Sequence, residues 1–121
     1  MLRRLLLPCA LLAVTLVAAT SGSARSTAAP KLTGVSGPGF SITVKSAGKV
    51  VKTLKAGTYT ILVQDKSTIH NFHLTGPGVN KTTTVPFTGN QTWTVKLKKG
   101  TYTYQCDIHA ASGMKGTFKV T

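Results

Sequence analysis

Cysteine, histidine and methionine fall within nine residues near the end of this 121-residue sequence, as Cys106, His109 and Met114. A thiolate, an imidazole and a thioether are donors for a soft or borderline metal, and one short loop can fold all three around a point. Cys106 is the only cysteine after Cys9. With the N-terminal segment set aside it has no disulfide partner, and a bare thiol in an oxidising compartment is a liability unless something occupies it. A second imidazole comes from Ile69-His-Asn-Phe-His-Leu74. Read as a strand, this stretch puts His70 on one face with the apolar Phe72 and Leu74, and Asn71 and His73 on the other. His70 is thus expected to complete the set from the core side, with His73 at the surface. Two imidazoles, a thiolate and a weak thioether suit copper. Zinc accepts His and Cys but seldom Met in structural sites. Iron–sulfur centres need more thiolates.

Strands must position these residues. Phe40 to Val44, Tyr59 to Val63, Trp93 to Leu97 and Tyr102 to Tyr104 alternate apolar and polar side chains, the mark of half-buried strands. A final strand is expected from Thr117 to Thr121. Turn signals separate the runs: Gly37-Pro-Gly39, Ala47-Gly48, Ala56-Gly57, Gly76-Pro-Gly78, Gly89-Asn90 and Lys99-Gly100. No window after the N-terminal segment keeps a 3.6-residue period. The expected fold is all-β: an antiparallel Greek-key β-sandwich of about seven to eight strands. Residues 30–34 are expected as an edge strand or a lead-in. Alternation puts Cys106 on the face of Tyr102 and Tyr104, at the core end of its strand. Phe72, Phe87, Trp93 and Phe118 are expected in the core with the two tyrosines.

The N-terminus reads as a signal peptide. Arg3 and Arg4 precede the apolar run Leu5–Ala19, and small residues follow. Cleavage after Ala24 or after Ala29 both fit; an uncleaved anchor is the alternative. The expected organisation is a signal peptide over 1–29 and one domain over 30–121, exported to a periplasm, cell envelope or medium, with no stable membrane span after signal removal. From Pro30 onward there are twelve lysines, no arginine and two acids, a net charge of +10 with histidines neutral. That excess favours an acidic partner, or serves solubility and keeps strand edges apart. Scattered lysines without arginine argue against nucleic acid. A monomer is expected.

The stretches His70-Asn-Phe72 and Tyr104-Gln-Cys-Asp-Ile-His-Ala-Ala-Ser-Gly-Met-Lys-Gly116 resemble type-1 blue-copper proteins, the cupredoxins, of the plastocyanin/pseudoazurin kind. Gly100-Thr-Tyr-Thr-Tyr104 before the loop and Gly116-Thr-Phe-Lys-Val120 after it share the likeness. The resemblance implies one copper held by His70, Cys106, His109 and Met114, cycling between Cu(II) and Cu(I). It implies a bridging role for Asn71 between the two ligand-bearing segments. Ile69 and Ile108 stand where plastocyanins commonly have proline, and the plastocyanin acidic patch has no counterpart.

The resulting expectation is outer-sphere electron transfer through this site, without enzymatic activity. His109 is expected near the surface, with Ala110, Ala111 and Pro38 or Pro77 forming an apolar docking patch. Rim lysines would steer an acidic redox protein. Asp107 is expected to orient the loop rather than act as a base. A copper carrier or buffer in the envelope uses the same ligands, and a metal-free β-sandwich interaction module is the third reading.

Overall fold

Among the described residues there are ten strands, in two five-stranded sheets, and the alternating runs are among the longer of them. The structure, a computed structural model, describes residues 18–19, 21–22 and 27–121. The expected signal segment falls mostly outside them. No helix among the described residues is long and apolar enough to cross a membrane.

One sheet has the order β3-β2-β1-β5-β8, formed by β1 (Lys31–Ser36), β2 (Ile42–Ser46), β3 (Lys49–Val50), β5 (Gly57–Asp65) and β8 (Gly89–Leu97). The other has the order β4-β10-β9-β6-β7, formed by β4 (Thr53–Leu54), β6 (His73–Gly76), β7 (Val79–Thr82), β9 (Gly100–Gln105) and β10 (Lys115–Val120). The fold class is as expected, with three differences. Strands β3 and β4 have two residues each, too short to show a period. The sheets are not purely antiparallel: β1 pairs parallel with β5, and β10 with β4. Residues 31–36 form an interior strand between β2 and β5 rather than an edge or a lead-in. Glycine explains that concealment. A Cβ on Gly34 would lie 2.6 Å from Cζ of Phe72, so the strand gives up a side chain to let the ring in.

Alternation elsewhere fills the space between the sheets. Tyr59, Ile61 and Val63 of β5, Trp93, Val95 and Leu97 of β8, and Tyr102 and Tyr104 of β9 are buried. Phe72 stacks on Tyr104 with centroids 6.3 Å apart, and Tyr102 on Phe118 at 5.4 Å. Large rings that pack together this way dominate core energetics. Phe87, expected in the core, is only half-buried in the β7–β8 connection. Gly89-Asn90, expected as a turn, opens strand β8. Among the described residues, every strand and every core side chain lies within 31–120.

The strands run between two poles about 30 Å apart, the length of a nine-residue strand. At one pole lie the connections β1–β2, β5–β6, β7–β8 and β9–β10. At the other lie the turns β2–β3, β6–β7 and β8–β9, together with the start of β1 and the end of β10. The Ala47-Gly48 turn there has φ 47° and 79°, the left-handed pair that suits a two-residue hairpin. Pro30 and Thr121 are tied down at this pole: Thr60 N donates to Pro30 O, and Ala56 N to Thr121 O.

Candidate metal centre

Strand β9 ends at Gln105, and Cys106 is the next residue, still in phase with Tyr102 and Tyr104 and fully buried. The chain then turns back on itself. His109 N donates to Cys106 O at 3.1 Å, Met114 N to His109 O at 3.2 Å, and Cys106 N to Met114 O at 3.0 Å. A 3-10 turn at Ala110–Ser112 follows His109, and Gly113 closes it at φ 93°, a left-handed conformation that glycine adopts without strain. Cys106, His109 and Met114 are thus on one loop cross-braced by its own backbone. Met114 is buried there.

His70 arrives from the β5–β6 connection. It is fully buried, as are Phe72 and Leu74, but alternation within a strand is not the reason. Strand β6 begins only at His73, and residues 66–72 are a loop. Asn71, expected on the opposite face, is buried too, at 4% exposure. His73 is partly exposed.

The loops bring three donor atoms together. Nδ1 of His70 lies 3.0 Å from Nδ1 of His109. Sγ of Cys106 lies 3.7 Å from the first nitrogen and 3.4 Å from the second. A triangle with these edges has a centre about 2 Å from each corner, close to the bond length from zinc or a similar first-row metal to imidazole nitrogen. The donors present therefore fit a borderline metal, and thiolate with two imidazoles fits copper. The other nitrogen of His70, Nε2, is buried without a hydrogen-bond partner among the described residues. The ring is instead set by packing. Cδ2 of His70 would lie 3.1 Å from a Cβ on Gly37, and the Phe40 ring meets both imidazoles edge-on, at 5.2 Å and 4.9 Å.

Asn71 sits between the loops. Its Oδ1 accepts from Asp107 N at 2.8 Å, and its Nδ2 donates to Asp107 Oδ2 at 2.9 Å and to Thr82 Oγ1 at 3.0 Å. Asp107 also accepts from Gln105 Nε2 and faces His73 Nδ1 at 2.9 Å, while His73 Nε2 faces Asn80 Oδ1 at 2.7 Å. Burial works against the charged form of both groups. In His73 the bonds to Asn80 and Asp107 and the Asp107 charge overcome it, and the pKa is raised. In Asp107 the bonds from Gln105, His73 and Asn71 and the His73 charge overcome it, and the pKa is lowered.

Sequence reasoning missed a second tier. Asp65, at the end of β5, is buried; its Oδ2 accepts from Thr83 Oγ1 at 2.7 Å. Thr83 Oγ1 in turn accepts from Phe72 N at 2.8 Å, and Ser36 Oγ donates to Asn71 O at 3.0 Å. An acid in phase with Tyr59, Ile61 and Val63 was the available signal. Phe40, read as the first residue of a strand, is a loop residue over the imidazoles at 67% exposure. Pro38 lies at this pole, but Pro77 sits in the β6–β7 turn at the other.

Rusticyanin, a copper protein, is 24% identical, with a TM-score of 0.58 over 75% of this chain and 76% of its own. A second structure of rusticyanin, from Thiobacillus ferrooxidans, is 26% identical, with a TM-score of 0.52 over 75% and 76%. Reduced auracyanin from Roseiflexus castenholzii is 22% identical, with a TM-score of 0.55 over 78% and 99%. These likenesses concern the sandwich. No individual curated protein matches the sequence significantly. The family described as copper binding proteins, plastocyanin/azurin family, matches residues 40–121. That span runs from Phe40 through both loops that meet at Cys106, so the chain belongs to the plastocyanin/azurin family of copper-binding proteins.

Proposed function

We propose that this copper protein is an exported carrier that passes single electrons by outer-sphere transfer. One observation carries the reading: two imidazole Nδ1 atoms and the Cys106 thiol converge at 3.0–3.7 Å on loops braced by backbone and side-chain bonds. His70, Cys106 and His109 are assigned as the strong ligands and Met114 as the weak fourth. Bound there, copper supplies a one-electron Cu(II)/Cu(I) couple. The chain's part is to hold the donors still, so that a change of charge needs little rearrangement. Asn71 joins the two ligand loops for that purpose.

The surface around the site supports transfer by contact. Phe40, Ile69 and Ile108 are 67%, 51% and 59% exposed, and all three lie in the loops of this pole. A redox partner would dock on this apolar surface. An acidic partner is drawn by the domain's positive charge, with Lys66 and Lys115 the lysines that flank the pole. Asp65 and Asp107, the only acids, accept bonds that fix the loops, which suits a carrier better than an enzyme.

Titrating residues 30–121 with Cu(II) should give an intense thiolate-to-copper absorption band, and Cys106→Ser should abolish it. A colourless mixture that binds no copper would falsify the assignment. Rapid electron self-exchange, with copper retained against a chelator, is expected. Fast hand-off to the chelator would instead support copper carriage.

A further inference from the structure

Charge is divided between the two poles. Both acids belong to the copper pole: Asp65 ends β5, and Asp107 follows Cys106. Nine of the twelve lysines belong to the far pole. Lys31 opens β1, Lys49 opens β3, and Lys55, Lys98 and Lys99 lie in or beside the turns there. Lys45, Lys96 and Lys119 are the penultimate residues of β2, β8 and β10 as these strands reach that pole, and Lys52 is held against Lys119, its carbonyl accepting from the Lys119 N–H. Among the described residues no lysine is ion-paired; the one salt bridge is between His73 and Asp107. The Debye length is about 8 Å at physiological salt, far less than the length of the sandwich, so the acids barely offset these lysines.

A groove of about 400 Å³ opens between β7 and β8, with Lys81, Lys96 and Lys98 on its walls beside Asn80 and Thr94. Lys96 and Lys98 are among the nine far-pole lysines, and their positive charge at the groove suits a phosphate-bearing headgroup. Steering a partner to the copper pole uses Lys66 and Lys115 and leaves the nine far lysines without a task.

We infer that the far pole is a binding surface for an anionic lipid bilayer, which holds the domain with its copper pole turned away from the membrane. Lysines near an anionic leaflet attract it individually, and the attraction fades within a Debye length. A basic pole presented end-on therefore binds, while the copper pole, with far fewer lysines, stays free for a redox partner. This inference is independent of the electron-carrier reading.

Residues 30–121 contain both complete sheets and the whole core, and so serve as the test protein. Cosedimentation with vesicles of phosphatidylcholine containing about one-third phosphatidylglycerol should show binding that high salt abolishes; pure phosphatidylcholine should bind almost none. Two variants of equal net charge then locate the surface. Lys98→Gln/Lys99→Gln should weaken binding about tenfold or more, and Lys66→Gln/Lys115→Gln less than about twofold. Near-ultraviolet circular dichroism verifies that both remain folded. Equal losses from the two variants would show a response to net charge alone and overturn the proposal. So would absence of binding to the anionic vesicles, including the case in which soluble polyglutamate binds and vesicles do not.

Discussion

Two loops build the metal centre, and they are held in opposite ways. The β9–β10 loop closes within itself: nine residues, three backbone bonds among Cys106, His109 and Met114, and a left-handed glycine. The β5–β6 loop has only longer internal bonds, from His70 N to Ser67 O at 3.4 Å and from Ile69 N to Ser67 Oγ at 3.3 Å. It is held from outside, by Ser36 on Asn71 O, by Thr83 under Phe72 N, by Asp65 under Thr83, and by Asn71 on Asp107. A loop that carries three of the four assigned ligands can be encoded locally. A loop that delivers one must be aimed by the rest of the fold.

Damage to the bonds that hold the β5–β6 loop in place should therefore exceed damage inside the β9–β10 loop. Thr83→Val removes the acceptor for Phe72 N and a donor to a buried carboxylate. It should cost about 3 kcal/mol in chemical denaturation of the metal-free protein. Asn71→Ala breaks two bonds across the seam between the loops and one to Thr82 of β7, and should cost about 2 kcal/mol, with a displaced thiolate-to-copper band. Gly113→Ala meets open space but must adopt φ 93°. The expected cost is about 1 kcal/mol, read from the same denaturation curves. If Gly113→Ala proves worse than Thr83→Val, the contrast is reversed and the β9–β10 loop is the fragile one.

The smallest effect concerns the rung from His73 to Asp107. The His73 pKa is raised from 6.5, so its contribution is complete below that value and lost as pH rises through the higher folded value. The Asp107 pKa is lowered from 3.8, so its contribution is present above that value and lost as pH falls through the lower folded value. The pair therefore stabilises most between these limits. With side chains 22% and 44% exposed, solvent screening leaves about half a kcal/mol. Stability should fall by about that much from pH 5 to pH 9, and His73→Gln should flatten the change.

The same contrast decides what the sequence disclosed. The Cys106, His109 and Met114 grouping is visible because local spacing makes the loop, and the phase of Tyr102 and Tyr104 carries into Cys106 without interruption. Alternation selects His70 over His73, and the structure does place His70 beside Cys106. It does so through a loop whose course is fixed by residues 11 to 36 positions away. Periodicity cannot register such bonds, which is why it puts Asn71 on the wrong face, reads Phe40 as part of a strand and gives no sign of the Thr83–Asp65 bond. Strand β1 was concealed for a related reason. Gly34 is interior because of what Phe72 needs, and that partner is 38 residues distant.

Pro30 and Thr121 both lie at the pole away from the copper loops, Pro30 O accepting from Thr60 N of β5 and Thr121 O from Ala56 N just before it. Such a domain is a ready cassette. A module joined before Pro30 or after Thr121 would meet the domain at the pole away from the copper loops.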